Sequence, residues 1–462
     1  MRLKKFLING AFLSGTAIVT QTLGMMFRIY MSNCIGAEAI GMYQLILTVY
    51  FFSVTAVTSG MTLLVTRLVT EAVALKNYAD IRSIVLKCTM VAVIVSLLVG
   101  SILFFGSDII AENILKQKGT AISLKVLAPS LPFIAISACI RGYFYAMRQV
   151  VKTAGEQLLE QLAEMGIFAL LVGIMAPKGI EYACCAVAIG TTVSEIITAL
   201  YSFTLYRLDV RKLKQTTSYR INKHLAFIAL PVTLSSCLRS GLSIIENSTI
   251  PKGLEMYGHS KSRALSDYGL ITGMVMPLLG FPSVVLFSFA SIIIPELSEG
   301  YAKTDNKQIQ YISSNVIKVV LMFSIPVAVV FFFFGKELGI LVYGNESAGR
   351  YLCMFSFLVP VIYLDSVVDS MLKGLNQQLH YLTYNIMDSV IRVAMVIYLI
   401  PRYGMAGLII TMYVGAIFNT GLSLLRLIKV AEIKIKVLWI TAPFMITVGI
   451  SLIVKLLIKW WL

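Results

Sequence analysis

Residues 206–223 read YRLDVRKLKQTTSYRINK, so Arg207, Arg211, Lys212, Lys214, Arg220 and Lys223 crowd into one short polar stretch near the centre of the chain. On either side the sequence is dominated by long apolar runs. A membrane-crossing helix needs about 20 mainly apolar residues. The 462-residue chain, with 58% hydrophobic and 13% charged residues, supplies such runs about thirteen times. That composition excludes a soluble domain.

Hydropathy and the punctuation of Pro, Gly, Asn and charge clusters place spans at 9-31, 42-66, 81-105, 121-147, 157-176 and 180-205. A second set follows the basic stretch at 224-250, 268-296, 310-334, 350-373, 381-400 and 404-427, with a last span at 437-459. Arg2, Lys4 and Lys5 precede the first apolar run as in a signal peptide, but the run contains Gln21 and Thr22 and lacks a small-residue cleavage site, so it reads as an uncleaved helix. The expected fold is therefore an all-α polytopic membrane protein. It divides into an N-terminal six-helix lobe at 1-206, a basic cytoplasmic linker at 207-223, a C-terminal six-helix lobe at 224-430 and one additional membrane helix at 431-462.

Lysine and arginine are retained on the cytoplasmic side of short loops. They concentrate in the even-numbered connections, with Arg67, Lys76 and Arg82, then Arg148 and Lys152, then the 207-223 linker, Lys303 and Lys307, and Arg426, Lys429, Lys434 and Lys436. The opposite side carries chiefly Lys116, Lys118, Lys252, Lys261 and Arg263. The N-terminus is expected inside the cell, in a multi-pass protein of the bacterial plasma membrane. This asymmetry, with attraction to anionic membrane lipids, accounts for much of the net charge of +16 without nucleic acid as a partner. The seven cysteines show no metal-ligand spacing, and neither a phosphate-binding G-x-x-x-x-G-K-[ST] loop nor an H-E-x-x-H zinc motif occurs. ATP hydrolysis by this chain is not expected.

Two sets of six spans share one topology, as in transporters whose halves are parallel repeats about a pseudo-twofold along the membrane normal. Ile140-Arg141-Gly142-Tyr143 ends the fourth span and Leu372-Lys373-Gly374-Leu375 ends the tenth, each after a proline earlier in the helix.

Specific strings resemble a known family. Gly36-Ala37-Glu38-Ala39-Ile40-Gly41-Met42-Tyr43-Gln44, Leu127-Ala128-Pro129, and Ile140-Arg141-Gly142-Tyr143-Phe144 are similar to the polysaccharide flippase family that includes stage V sporulation protein B. Tyr268-Gly269-Leu270-Ile271-Thr272-Gly273-Met274-Val275-Met276-Pro277-Leu278 and Phe281-Pro282-Ser283 carry the most specific part of the resemblance, which covers about the first 430 residues. It implies the two-lobed fold shared by oligosaccharide flippases, lipid II flippases and multidrug and toxin extrusion proteins. It also implies a transporter, not an enzyme, in polysaccharide or peptidoglycan synthesis or sporulation, with a cell-wall synthase as a partner. The chain departs from the family in having room for one helix after the core, where longer relatives have two. Glu164 stands where a basic residue is expected.

Ionisable groups at bilayer depth cost at least about 2.5 kcal/mol each on insertion scales and normally face a protein interior or water. Arg239 lies near the midpoint of the seventh span, Arg28 in the outer part of the first and Arg141 towards the inner end of the fourth. A guanidinium fork suits phosphate oxygens, so these three are the candidate substrate-binding residues for a lipid-linked saccharide carrying a pyrophosphate. Snorkelling to the interface, or pairing with a carboxylate, is the plainer reading for Arg28 and Arg141. Asp365 and Asp369 are four residues apart on one helix face. With Glu246, whose place in the segment Ile244 to Pro251 usually carries Asp in the resembling family, they form a candidate cation-coupling set for sodium or a proton. Local pairing, Asp369 with Lys373 and Asp388 with Arg392, is the structural alternative. Glu156, Glu160 and Glu164 form a carboxylate stripe, and Glu195, near the middle of the sixth span, is a further acid for which Arg141 is a candidate partner across the N-terminal lobe.

The expectation is a flippase that moves a polyprenyl-pyrophosphate-linked saccharide, such as lipid II or another cell-wall or polysaccharide precursor, from the inner to the outer leaflet by alternating access. It needs no cofactor beyond the coupled ion. A cation-coupled multidrug exporter of the same fold and a membrane glycosyltransferase or polysaccharide polymerase are the alternatives. The first expects an acidic, aromatic cavity and the second a sizeable polar loop, whereas the longest non-cytoplasmic connection is about 251-267.

Overall fold

A computed structural model of the protein describes residues 2–75, 77–78, 80–211, 223–286, 296–301, 303, 305–433 and 438–461. Residues 212–222 of the basic linker, 287–295 of the eighth expected span, and Lys76, Lys434 and Lys436 lie outside them. All regular structure among the described residues is helical. A backbone in hydrocarbon must satisfy its own polar groups, and the helix does so within one segment.

The first two expected spans lie on one continuous stretch, α1 (Arg2–Ala74), of 73 residues. At 1.5 Å per residue it is about 110 Å long, several times the roughly 30 Å hydrocarbon core. Gly36 breaks it, with φ 78° and ψ 169°, a conformation that essentially only glycine adopts. α2 (Ile81–Phe105), α3 (Thr120–Ala146), α4 (Val150–Met175) and α5 (Ile180–Val210) follow. Next come α6 (Lys223–Tyr257), α7 (Lys261–Leu286) and α8 (Asn306–Tyr343). The chain ends with α9 (Glu346–Phe355), α10 (Leu358–Gly374), α11 (Gln378–Tyr403), α12 (Met405–Ala431) and α13 (Leu438–Trp461).

Among the described residues, ten helices are long and apolar enough to cross a membrane, or eleven when α9 and α10, bent by 61°, count as one span. The break at Gly36 makes two segments of the first. α6, 35 residues long, is not in that number and carries Arg239, Glu246, Lys252 and Glu255. The described residues of the expected spans thus fall on helix, apart from the break between α9 and α10 and single residues at helix ends, and the boundaries move. α8 runs to Tyr343 where the reading stopped at 334.

By packing, the chain forms two compact units, one of Met1–Gly24 with Cys34–Ser248 and the other of Met25–Asn33 with Thr249–Leu462. In the first unit the core gathers Val65, Leu68, Ile84, Val85, Tyr143 and Phe144. Gly142 sits where α3 meets α1. A Cβ there would lie 2.8 Å from the Thr62 carbonyl oxygen, and Thr66 donates to the Gly142 carbonyl at 3.1 Å. The Arg-Gly-Tyr-Phe string is therefore a close helix crossing flanked by two fully buried rings.

Hydroxyls on neighbouring helices donate to backbone carbonyls close to the prolines of α3 and α7. In the first unit α3 tightens into a 3₁₀ turn at Ala128–Ser130, and Thr192 of α5 donates to the Val126 carbonyl at 2.8 Å. Tyr50 of α1 is 2.7 Å from the Ser130 hydroxyl. In the second unit α7 passes through a π turn at Leu270–Val275 and a 3₁₀ turn at Phe281–Ser283. Tyr343 of α8 and Tyr363 of α10 donate to the carbonyls of Met274 and Leu279 at 3.0 and 2.7 Å.

Candidate functional site

The second unit contains a polar cluster built from three helices. Asp365 and Asp369 project from one face of α10. Asn419 of α12 donates from Nδ2 to both oxygens of Asp365, at 3.0 and 3.2 Å, and Thr420 donates to Oδ1 at 3.2 Å. Asp369 accepts from Ser423 of α12 and from Asn385 of α11, each at 3.3 Å. Asp388 of α11 is 3.8 Å from Arg392, one turn on. Gly415 leaves room for that pair, since a Cβ there would meet Arg392 Cδ at 2.6 Å and Asp388 Oδ1 at 2.9 Å.

Asn419, Thr420, Asn385 and Ser423 offer Asp365 and Asp369 neutral amides and hydroxyls. The two carboxylates, with Asp388 beside Arg392, leave the cluster rich in negative charge, an arrangement suited to attracting a cation or retaining a proton. Asn419 Oδ1 is buried without a hydrogen-bond partner among the described residues, so a further oxygen ligand stands next to Asp365. No group of three His, Cys, Asp or Glu residues able to hold a metal ion occurs among the described residues. Any metal here would depend on amide and hydroxyl oxygens, which suit a hard cation.

A second cluster belongs to the first unit. Arg141 of α3 donates from Nη2 to Oε1 of Glu156 at 2.9 Å, and Glu156 is fully buried on α4. Glu160 and Glu164 follow at helical spacing on α4, and Thr191 of α5 donates to Glu164 at 2.8 Å. Glu160 and Glu195 lie within electrostatic range of the same arginine. The expected stripe of acids is thus turned towards α3 and α5. The direct partner of Arg141 is Glu156, not Glu195, and its guanidinium is already engaged by a carboxylate.

Arg28 and Arg239 are exposed. Met25, Phe27 and Met31 are buried in the second unit, whereas Arg28, one turn from both Met25 and Met31, is exposed. Arg239 sits beside Leu234 and Leu238, exposed like itself, on the part of α6 that packs with the first unit. Glu246, expected in the C-terminal lobe, is grouped with the first unit and is half-buried. Lys373, offered by sequence as a partner for Asp369, lies over the Tyr381 ring at 4.8 Å.

Asn385, Asn419, Thr420 and Ser423 were not singled out from sequence. Their signal was there, as Asn419, Thr420 and Ser423 are polar groups within the apolar 404-427 span, where such groups normally face protein.

The model of the family described as polysaccharide biosynthesis protein matches residues 6–301, more than half of the chain. The chain belongs to that family. Among its polysaccharide-biosynthesis relatives, stage V sporulation protein B of Bacillus subtilis (strain 168) is 25% identical over 453 residues, covering 95% of this chain and 86% of that one. A structure of the lipid II flippase MurJ in an inward closed conformation superposes with a TM-score of 0.69 at 14% identity, over 97% of this chain and 92% of that one. An inward-facing multidrug resistance MATE family transporter of the MOP superfamily also reaches 0.69, at 15% identity, over 91% and 99%. Those two likenesses show the fold. The family member described here is a multi-pass membrane protein with the MATE and MurJ architecture, as the resemblance read from its sequence implied.

Proposed function

We propose that the protein is a flippase that carries a polyprenyl-pyrophosphate-linked saccharide from the inner to the outer leaflet by alternating access, with its N-terminus in the cytoplasm. The observation that carries this reading is the exposure of Arg28 beside Met26 and Tyr30, and of Arg239 beside Leu234 and Leu238, so that each arginine stands among exposed apolar side chains. An arginine at bilayer depth is expensive unless it meets water or an anion. The pyrophosphate is the anion that would engage these forks, while the polyprenyl tail stays in lipid. An inside-negative potential then favours outward movement by about 2.3 kcal/mol per charge per 100 mV, so no nucleotide is required. Asp365 and Asp369 with Asn419 and Thr420, together with Glu246, are the groups through which a sodium or proton gradient would add to that drive.

The test is transfer of fluorescent lipid II across proteoliposomes, with and without an imposed potential. Charge-assisted hydrogen bonds contribute about 1.5–3 kcal/mol, so Arg28→Ala and Arg239→Ala should each slow potential-dependent transfer by about tenfold or more. Unchanged transfer in both variants, or no transfer of any lipid-linked saccharide by folded protein, would sink the proposal.

A further inference from the structure

The first unit has a cavity of about 690 Å³ outside both polar clusters, where α2 begins and α5 stops. Arg82 lies in the first turn of α2, Arg207 in the last turn of α5 and Arg211 immediately after it. Beyond this cationic end the walls become apolar, with Leu86, Phe133, Leu200 and Phe203 lining the cavity. Its size falls within the roughly 300–1,000 Å³ of small-molecule sites.

The arginines are not neutralised by the nearby acid. Asp209, in the same turn of α5, is bound to Lys152 at 2.5 Å, and no ion pair engages Arg82, Arg207 or Arg211 among the described residues. Arg207 lies over Phe203, its guanidinium carbon 5.0 Å from the ring centroid. A ring neighbour does not cancel the positive charge, which remains available to an anion. Leu86, Leu200 and Phe203 are exposed, so the slot is open along its apolar side. A cluster of fixed positive charge at one end of an open apolar slot complements an amphiphile with an anionic head and a hydrocarbon tail.

We propose that this cavity is a binding site for an anionic membrane phospholipid. The phosphate is held by Arg82, Arg207 and Arg211 and an acyl chain lies against Leu86, Phe133, Leu200 and Phe203. The site is separate from the transport groups and does not depend on what the protein carries. Its occupant ties the ends of α2 and α5 to the middle of α3, which makes the packing of the first unit depend on the lipid around it.

The test uses the full-length protein in neutral detergent, offered phosphatidylglycerol, phosphatidylcholine or glycerol phosphate, with retained molecules counted by native mass spectrometry. Phosphatidylglycerol should be retained and the other two should not. Each basic residue near an anionic lipid adds to its attraction, so the triple variant Arg82→Gln, Arg207→Gln, Arg211→Gln should retain at least about tenfold less. Ala199→Trp fills the slot and keeps every arginine, and it should also lose the lipid, which tests the site if the triple variant fails to fold. Wild-type retention in a folded variant of either kind overturns the proposal. So does equal retention of phosphatidylcholine, which would show an apolar slot alone, or of glycerol phosphate, which would show an anion site alone.

Discussion

The hydroxyl of Tyr363 donates to the carbonyl of Leu279 at 2.7 Å, three residues before Pro282, joining α10 to the irregular part of α7. The ring is fully buried, so this bond between the two helices is made away from water. Tyr363→Phe removes the donor and leaves the shape. Leaving a buried acceptor unpaired costs about 1–3 kcal/mol in soluble proteins, and interhelical hydrogen bonds in membranes average nearer 0.6 kcal/mol. Thermal unfolding in detergent should show a lower midpoint, with Tyr343→Phe behaving alike. An unchanged midpoint in both would mean that the freed carbonyls find other donors.

Glycine substitutions separate close crossings from open helix surface. Gly142→Ala puts a methyl 2.8 Å from the Thr62 carbonyl oxygen and 3.1 Å from Val65 Cβ. Overpacking of that kind costs about 1–3 kcal/mol. Gly166→Ala, on α4, meets nothing within 4 Å and should stabilise by up to about 1 kcal/mol through helix propensity. Opposite shifts in unfolding midpoint are expected, and a neutral Gly142→Ala would contradict the packing described.

Arg141 and Glu156 allow structural support to be told from substrate binding. Removing one partner of a buried ion pair destabilises by about 3–5 kcal/mol because the other charge is stranded. Arg141 is partly exposed, which places the expected loss at or below the lower end. Arg141→Gln should be less stable than the double variant Arg141→Gln, Glu156→Gln. If the arginine serves only Glu156, the double variant also transports normally; continued loss of transport in a stable double variant would assign Arg141 to the substrate path.

For the cluster of the second unit, Asp365→Asn keeps the volume and removes the charge held by Asn419 and Thr420. Transfer driven by an imposed potential should persist, while acceleration by a sodium or proton gradient should vanish. Proteoliposomes carrying each gradient separately provide the measurement, and gradient dependence equal to wild type would remove Asp365 from coupling.

The helices were legible because hydrocarbon permits few alternatives to them, and apolar length reports that constraint directly. Proline was a partial guide. Pro360 cannot bond to the carbonyl four residues earlier, at Ser356, and the 61° bend between α9 and α10 falls there. Pro326 lies inside an uninterrupted α8, so a missing bond locates a weak point without setting its angle. The acid clusters were half legible. Four-residue spacing put Asp365 with Asp369 and Glu156 with Glu160, but the partners come from other helices, 15 residues away for Arg141 and Glu156 and 55 for Thr420 and Asp365. The pattern of polar residues shows which face of a helix turns inward but not which neighbour that face meets, and so it did not distinguish Glu156 from Glu195 as the partner of Arg141.

Met25, Phe27 and Met31 lie in a segment that packs with a unit resuming only at Thr249, although the chain on both sides of that segment belongs to the other unit. At about 5–20 residues per second of synthesis, their partners emerge roughly 10–40 seconds later. The second unit thus begins with a segment made long before the rest of it, held meanwhile by lipid, and it is complete only when the chain beyond Thr249 has been made. A chain starting at Thr249 would lack that segment, so the second unit cannot be expected to assemble from the C-terminal half alone.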